Sequence, residues 1–296
     1  MASDSLVIRE WGKINKGPDN RVIDIDEIML NEVAWNFFSG LASSRYLRFL
    51  NKTQLQFKGF VGVVTAPDGT QIEVIPKVEE SISSDTVKES RATLLHMFKT
   101  VHNLKVVEST QANLKNKNSP LIEVLIGWFL KEVSKVTKKG IRQDYSRVEA
   151  HEQFLKGQLQ LSKQLREPLH KQHKFHIEYD VFSADRAENR LIHSALIIVS
   201  RWSKDQANKR LARHFLILFD AVPVSASYES DFSCWSSSRD MHYYQALLPW
   251  LTLILNQQSP FTLADKNAGI SFLLSMEDLF EKYVAKSLSA QLAHCP

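Results

Sequence analysis

The stretch from Lys174 to Val199 constrains the fold more than any other part of the chain, because two periodicities meet within it. From Phe175 to Val181 apolar and polar residues alternate, which predicts a strand with one buried face. From Asn189 to Trp202 the apolar residues recur at helical spacing instead. The sequence therefore predicts a strand that runs into an amphipathic helix, with a short polar junction between them.

The polar junction between that strand and that helix contains the candidate functional residues Asp180, Asp185, Glu188, Asn189 and Arg190. Asp185, followed three residues later by Glu188, predicts a capping box at the start of the helix. Two interpretations are open. In the functional one, the junction holds a neighbouring basic segment against DNA. In the structural one, Asp185 caps the helix and Arg190 pairs with Glu178 or Asp180.

A basic segment precedes the junction. Between Lys131 and Lys174 eleven Lys and Arg residues accompany five Asp and Glu residues, whereas the whole chain has a net charge of only +4. Such a segment can bind a phosphate backbone, or it can be an ordinary solvated surface. The residues predicted to contact DNA or a protein partner are Arg142, Arg147, Lys156 and Lys163.

The first part of the chain is predicted to be rich in strands. Leu6 to Ile14 is expected to form one strand. Pro67, Asp68 and Gly69 predict the turn of a hairpin between Leu55–Val64 and Gln71–Ile75. Apolar residues between Ile23 and Ala42 favour a helix.

Helical spacing dominates the rest of the chain, so the fold class predicted is α+β. The helices predicted in addition to the one after Asn189 are Val87–Leu104, Leu121–Val136, Asp205–Phe219, Arg239–Leu255 and Met276–Leu292.

Composition excludes several classes of protein. The chain has no apolar run of the roughly 20 residues that a membrane span requires, and its N-terminus lacks the apolar core of a signal peptide. The two cysteines, Cys234 and Cys295, support neither a disulfide framework nor a zinc cluster, which favours a reducing cytoplasm. His170 and His173 lack a third metal ligand, so no metal site is predicted.

One motif is misleading. Pro67-Asp68, followed by Glu73 and Lys77, looks like the signature of a metal-dependent nuclease. That chemistry needs the acid and the lysine two residues apart on one strand, so that both side chains face the same metal ion. Here they are four residues apart, with Pro76 between them, and an Asp-Gly turn explains Asp68 without any function.

Several segments together carry a family resemblance. They are KKGIRQDYSRVEAHEQFLKGQL, FHIEYDVFSADRAENRLIHSAL, MHYYQALLPWLTLIL and FLLSMEDLFEKYVAKSL, in this order, after REWGKI and GFVGVV near the N-terminus. The chain resembles the McrC family, the nuclease subunit of McrBC-type 5-methylcytosine-specific restriction systems. The resemblance implies a front domain that docks on an AAA+ GTPase hexamer and stimulates GTP hydrolysis. It also implies a C-terminal PD-(D/E)xK nuclease that cuts DNA with Mg²⁺.

The chain departs from the family pattern in two places. Met276–Leu292 resembles the helix that precedes the catalytic strands, with Glu281 as an accessory acid, but no metal-binding pair or catalytic lysine follows it. In addition, Lys156-Gly157-Gln158 stands where the family tends to carry Arg-Gly-Arg. The expectation is a subunit truncated before its nuclease core, or otherwise a shortened regulator that binds the GTPase without cutting. It would hold no cofactor itself, since Mg²⁺ belongs to the complete nuclease and GTP to the partner.

Three domains are therefore predicted: a β-rich partner-docking domain over 1–105, a mainly helical domain over 106–270 that contains the basic segment, and the first helix of an incomplete restriction-endonuclease-like domain over 271–296. The predicted function is a restriction subunit that binds a GTPase and DNA and no membrane. The alternative is a stand-alone nucleic-acid-binding adaptor, and an intact nuclease is a third hypothesis.

Overall fold

The computed structural model describes residues 5–42, 46–77, 84–102, 119–166, 168, 173–256 and 271–292. Strands dominate before residue 77 and helices dominate after residue 119. The prediction of a mixed α+β fold with a β-rich N-terminal region is confirmed. No helix within these residues is long and apolar enough to cross a bilayer.

The N-terminal region forms most of two sheets. Its elements are β1 (Leu6–Arg9), β2 (Lys13–Lys16), β3 (Arg21–Asp24), β4 (Glu27–Leu30), α1 (Glu32–Gly40), β5 (Leu47–Asn51), β6 (Gln54–Phe57), β7 (Phe60–Thr65) and β8 (Gln71–Ile75). One sheet has the order β3-β4-β2-β6-β5 and packs against α1, whose Ala34, Trp35 and Phe38 are buried. The predicted hairpin of β7 and β8 is confirmed, with its turn at residues 66–70.

Two predictions for this region are wrong in detail. Leu6–Ile14 is not one strand, because Trp11 has a positive φ of 65° and the Gly12 N–H donates to the Arg9 carbonyl at 3.0 Å, which turns the chain between β1 and β2. Residues 23–42 are not one helix either. Ile28 and Leu30 are buried alternately with more exposed neighbours in β4, and the helix starts only after Asn31, whose side chain accepts from the Ala34 N–H at 2.9 Å.

The helical body contains most of the remaining chain. Its elements are α2 (Ser84–Val101), α3 (Leu121–Lys139), α5 (Ala187–Trp202), α6 (Gln206–Leu218), α7 (Tyr228–Ser233), a 3₁₀ helix (Arg239–Leu247), α8 (Leu248–Asn256) and α9 (Met276–Leu292). These helices confirm the predicted ones, except that the predicted end of the first, at Leu104, lies outside the described residues. Asp205 caps α6, as predicted, by accepting from the Asn208 N–H at 2.9 Å.

A four-stranded sheet joins the two parts of the molecule. It has the order β1-β8-β7-β12, where β12 is Ser271–Ser275 and pairs antiparallel with β7. Val61 and Val63 of β7 belong to the core of the helical body, whereas Val64 belongs to the core around α1. The C-terminal strand thus lies within a sheet built from N-terminal strands, while the predicted domain boundaries at 105 and 270 stay a prediction.

The remaining elements form a third, smaller sheet. β9 (Asp144–Glu152) follows α3, β10 (Gln158–Leu159) and the one-turn helix α4 (Leu161–Gln164) come next, and β11 (Phe175–Ser183) leads into α5. The sheet order is β10-β11-β9, with all pairs antiparallel. The strand predicted from the alternation at Phe175–Val181 is confirmed.

Candidate functional site

The small sheet has little hydrophobic core of its own. We refer to residues 144–166 and 173–183 as the arm. In β9 the first six residues are exposed, and in β11 only Ile177 is buried. Nine residues of β9 pair with nine of β11, so backbone hydrogen bonds stabilise the arm more than packing does.

The arm exposes large apolar side chains. Within its described residues, those that are more than half exposed are Tyr145, Phe154, Leu155, Leu161, Leu165 and Phe182. Phe154 and Leu165 reach 80% and 82% exposure. Scattered apolar residues are normal on a surface, but a cluster of this size on one small element is typical of an interaction site.

The predicted basic contacts are placed on or beside the arm, but most of them are paired with acids. Arg142 pairs with Asp240 at 2.7 Å, and Lys163 pairs with Glu149. Arg147 pairs across the strands with Glu178 at 3.0 Å and with Asp180 at 3.6 Å. Lys156 has no acid, but its ammonium lies 4.3 Å from the centre of the Tyr179 ring.

The polar junction forms where the arm meets the helical body, and the predicted capping box is wrong. The N-cap of α5 is Arg186, with no side-chain cap, and Asp185 accepts from Arg190 Nη1 at 2.7 Å instead. Arg190 does not reach Glu178 or Asp180. Its second partner is Asp231 of α7, which accepts from Arg190 Nη2 at 2.5 Å.

The pKa values of Arg190 and Asp231 follow from the geometry of their contacts. The hydrogen bonds to Asp231 and Asp185 hold the pKa of Arg190 above its ordinary value. Burial by itself would raise the pKa of Asp231, but the hydrogen bonds from Arg190 and Ser225, together with the charge of Arg190, outweigh burial, so that pKa lies below its usual range. Both groups are therefore charged in neutral solution and tie α5 to α7.

Asn189 and Glu188 attach the arm to the body. Asn189 is fully buried, donates to the carbonyls of Arg142 and Ala184 at 2.8 Å, and accepts from the Tyr244 hydroxyl at 2.8 Å. Glu188 is also buried and accepts from the Ser236 N–H at 3.0 Å and from Arg186. Arg186 bonds in turn to Asp144, the first residue of β9. These contacts give the junction a structural role, although through other pairs than the predicted cap and the predicted Arg190 contacts, while a direct role in DNA binding stays a prediction.

The comparisons with known proteins complete this description. The model of the McrBC 5-methylcytosine restriction system component family matches residues 55–295, which is most of the chain. The chain belongs to this family. The similar solved structures also come from McrBC complexes. No curated protein sequence matches this chain.

Two McrBC structures share the fold of this chain. A chain in the cryo-EM structure of the Thermococcus gammatolerans McrBC complex matches with a TM-score of 0.67 and 17% identity, over 99% of this chain and 89% of that one. A second match, with a TM-score of 0.65 and 18% identity, covers 98% of this chain and 71% of the other. It comes from the refined half-complex of a tetradecameric assembly of T. gammatolerans McrB AAA+ hexamers with bound McrC.

The family implies Mg²⁺ chemistry, but the residues that the structure describes do not fit a metal site. Glu281, the predicted accessory acid, lies on an exposed face of α9. Within the described ranges no three His, Cys, Asp or Glu side chains converge. Asp68 accepts from the Thr70 N–H at 2.9 Å in its turn, and Glu73 is buried against Arg91, so neither serves a nuclease.

The exposed apolar residues of the arm were missed by the sequence reasoning. Phe154, Leu155, Leu161 and Leu165 lie in a strongly charged segment, and apolar residues in such a segment usually provide its core. Phe154, Leu161 and Leu165 are spaced by seven and four residues, which fits one face of a helix, so the sequence gives no signal that they are exposed. Only the structure shows that these side chains are available to a partner.

Gly157 packs closely against β11 within the arm, and this close packing leads to a first prediction. Its φ is +76°, and an added Cβ would lie 2.4 Å from the Glu178 carbonyl oxygen and 2.6 Å from Tyr179 Cβ. Gly157→Ala is expected to separate β10 from β11, because backbone atoms cannot move aside. Amide hydrogen exchange should become faster in β10 and β11 and remain slow in α3 and α5.

The matched control for Gly157→Ala is Gly69→Ala. Gly69 has a similar φ of +87°, but an added Cβ there meets nothing within 4 Å. The control introduces only the backbone strain of about 1–2 kcal/mol. If both variants changed hydrogen exchange only near their own site and to the same extent, close packing of Gly157 would not be what holds the arm together.

Proposed function

We propose that this chain is a subunit of a modification-dependent, 5-methylcytosine DNA restriction system that docks on an AAA+ GTPase partner and stimulates its GTP hydrolysis. The observation that carries the proposal is the arm, which exposes its large apolar side chains on a sheet that buries almost nothing. The family match and the likeness to chains from McrBC complexes support it.

The arm is suited to bind a protein. Arg147 and Lys163 are paired with acids from the same sheet, and the described residues of the arm contain as many Asp and Glu as Lys and Arg, so the arm carries balanced charge rather than a strong positive field. Exposed aromatic and leucine side chains next to paired charges are typical of the centre and rim of a protein interface. The N-terminal region over 1–105, to which the resemblance assigns docking, is proposed as a second contact surface.

The C-terminal helix supports a further part of the proposal. Leu279 of α9 is buried in the helical core, and His96 of α2 packs edge-on against Tyr283 at 5.8 Å between ring centres. On the other side Phe280, Leu288 and Leu292 are more than half exposed, four or eight residues apart. We propose that α9 is the first helix of a restriction-endonuclease-like domain, incomplete among the described residues. The two-cysteine composition supports action in the cytoplasm.

The proposal is tested by reconstitution with an McrB-type AAA+ GTPase. The full chain should co-purify with that GTPase and increase its rate of GTP hydrolysis. The alternative, a stand-alone nucleic-acid-binding adaptor, predicts salt-dependent DNA binding and no such effect on the GTPase. Absence of both co-purification and stimulation, with a folded chain, would reject the restriction-subunit proposal.

A further inference from the structure

Helix α6 carries positive charge that is not neutralised by the residues that the structure describes. Between Arg201 and Leu218 five Lys and Arg residues accompany one acid, Asp205. Asp205 is already engaged, since its carboxylate caps α6. Arg210, Arg213 and His214 are exposed, and Lys209 is half-buried.

Four cations on α6 and at the end of α5 have no acidic partner. Within the described residues, Arg201, Lys209, Arg210 and Arg213 make no ion pair and no side-chain hydrogen bond. In contrast, most arginines of the arm and of its junction are paired with a carboxylate, as in Arg147–Glu178, Arg186–Asp144 and Arg190–Asp231.

The surroundings of α6 do not supply an acid. The helices that pack most closely against it are α3 and α5, and their acids are Glu123, Glu132 and Glu188, all buried. Glu123 accepts from Ser203 and Asn208, and Glu132 pairs with Lys135. The next acid in the chain, Asp220, lies about 10 Å along the axis beyond Arg213.

The arrangement is unfavourable for an isolated helix. Lys209 and Arg213 are four residues apart, and Arg210 and Arg213 are three apart, so like charges lie next to each other on the helix surface. Lys209 and Arg210 also lie near the N-terminal, positive end of the helix dipole. Burial lowers the pKa of Lys204, and the charge of Lys209 lowers it further, although Glu123 acts in the opposite direction. A sequence selected for stability alone would not place these cations here.

We infer that the exposed face of α6, formed by Lys209, Arg210, Arg213 and His214 together with Arg201, binds the phosphate backbone of duplex DNA. Helical geometry places Arg210 and Arg213 on the side opposite Phe215, which is buried. Rows of unpaired cations on a helix are the usual means of contacting phosphates without reading sequence. The choice of DNA over another polyanion rests on the proposed function.

The α6 surface is separate from the arm. The inference therefore places phosphate contacts on α6 rather than on the basic residues predicted from the sequence. The predicted residues Arg142, Arg147 and Lys163 would each have to leave an acid before binding a phosphate. The α6 cations need no such exchange, so each can replace a counterion condensed on the DNA without first breaking an ion pair. A membrane surface is the competing occupant, because α6 buries Ala212 and Phe215 but exposes Leu211, Ile217 and Leu218. The vesicle measurement below distinguishes the two.

The test compares the full chain with charge-matched variants by fluorescence anisotropy on a short labelled DNA duplex. Arg210→Gln/Arg213→Gln should weaken binding roughly 10- to 60-fold at about 0.1 M salt, and should reduce the slope of log affinity against log salt by about two. Methylated and unmethylated duplexes should behave alike, since backbone contacts carry no sequence information.

Two controls remove the same charge elsewhere. Lys13→Gln/Lys52→Gln changes exposed lysines of the N-terminal region, and Arg147→Gln/Lys163→Gln changes paired cations of the arm. Both should change DNA affinity less than about 3-fold, because Lys13 and Lys52 lie outside the α6 surface and Arg147 and Lys163 are already paired with acids. An equal loss in all three variants would show a general effect of net charge and overturn the proposal.

Two further readouts separate this proposal from others. Arg210→Gln/Arg213→Gln should leave stimulation of the GTPase unchanged, so a failure of docking and a failure of DNA binding are distinguishable. Its thermal unfolding temperature should be no lower than that of the original chain, because both side chains are exposed and their removal relieves repulsion between like charges. Binding to phosphatidylcholine vesicles that contain phosphatidylserine, without binding to DNA, would overturn the inference in favour of a membrane surface.

Discussion

Arg91→Met is expected to lower the free energy of unfolding by about 3–5 kcal/mol, the largest single-residue effect on stability predicted for this protein. Arg91 Nε donates to Glu73 Oε1 at 2.7 Å and Nη2 donates to Oε2 at 2.9 Å. Glu73 is fully buried in β8, and Arg91 of α2 is 7% exposed. Removing the guanidinium leaves a carboxylate without its bidentate partner in a site that water does not reach.

Chemical denaturation of Arg91→Met and of Lys16→Met measures this effect. Lys16 pairs with Glu32 at 3.3 Å, and both side chains are exposed, so its loss should cost less than about 1 kcal/mol. The double variant Glu73→Leu/Arg91→Met should recover much of the lost stability, since it removes both charges. If Arg91→Met were no more destabilising than Lys16→Met, the ion pair would not be what holds α2 against β8.

The Glu73–Arg91 ion pair also accounts for Glu73 in the misleading nuclease motif. Glu73 has the residue type that a metal-dependent nuclease needs, but the structure uses it to fasten a helix to a sheet. A carboxylate held by two hydrogen bonds from a buried guanidinium has little capacity left for a metal ion. Sequence spacing already disfavoured catalysis, and the position of Arg91, eighteen residues away, supplies the reason that spacing alone could not.

Hydrophobic periodicity predicted those elements that keep the same face buried along their whole length. β11 and α5 were found because each keeps one buried face over many residues, and α3 was found for the same reason. Residues 23–42 were mistaken for a helix because four-residue strands are too short to show a period of two. Ile25 and Ile28 are three residues apart, so their spacing fits a helix as well as a strand. The pairing of β2 with β4 decides in favour of the strand.

Charge pairing could not be predicted from the local sequence. Arg147 is neutralised by Glu178 and Asp180 of the neighbouring strand, and Arg190 finds Asp231 of α7. In each pair the partners are brought together by sheet register or helix packing. A count of charges along the chain therefore located the excess of positive charge in the basic segment, whereas several of its cations are paired in the structure and those on α6 are not. The DNA contacts assigned to Arg142, Arg147, Lys156 and Lys163 stay a prediction.

The second large effect is expected at the arm, where Phe154→Ser/Leu155→Ser should abolish stimulation of the GTPase. The two side chains are 80% and 60% exposed, so their removal should not lower the stability of the free chain. In a complex, each truncation of a central apolar contact costs about 1–4 kcal/mol, and together they would weaken docking by roughly 10²-fold or more. GTP hydrolysis measured over a range of concentrations of the chain gives both the apparent affinity and the maximal stimulation.

A matched variant in the N-terminal region decides which surface provides the docking energy. Val33→Ser/Phe49→Ser removes two apolar side chains that are 61% and 53% exposed, outside the arm. If the arm provides the energy, this variant keeps nearly full stimulation while Phe154→Ser/Leu155→Ser loses it. The reverse result would assign docking to the N-terminal region, as the family resemblance implies, and would reject the arm as the main contact. Similar losses in both variants would mean that the GTPase covers both surfaces at once, which requires one partner to span the small sheet and the sheet around α1 together.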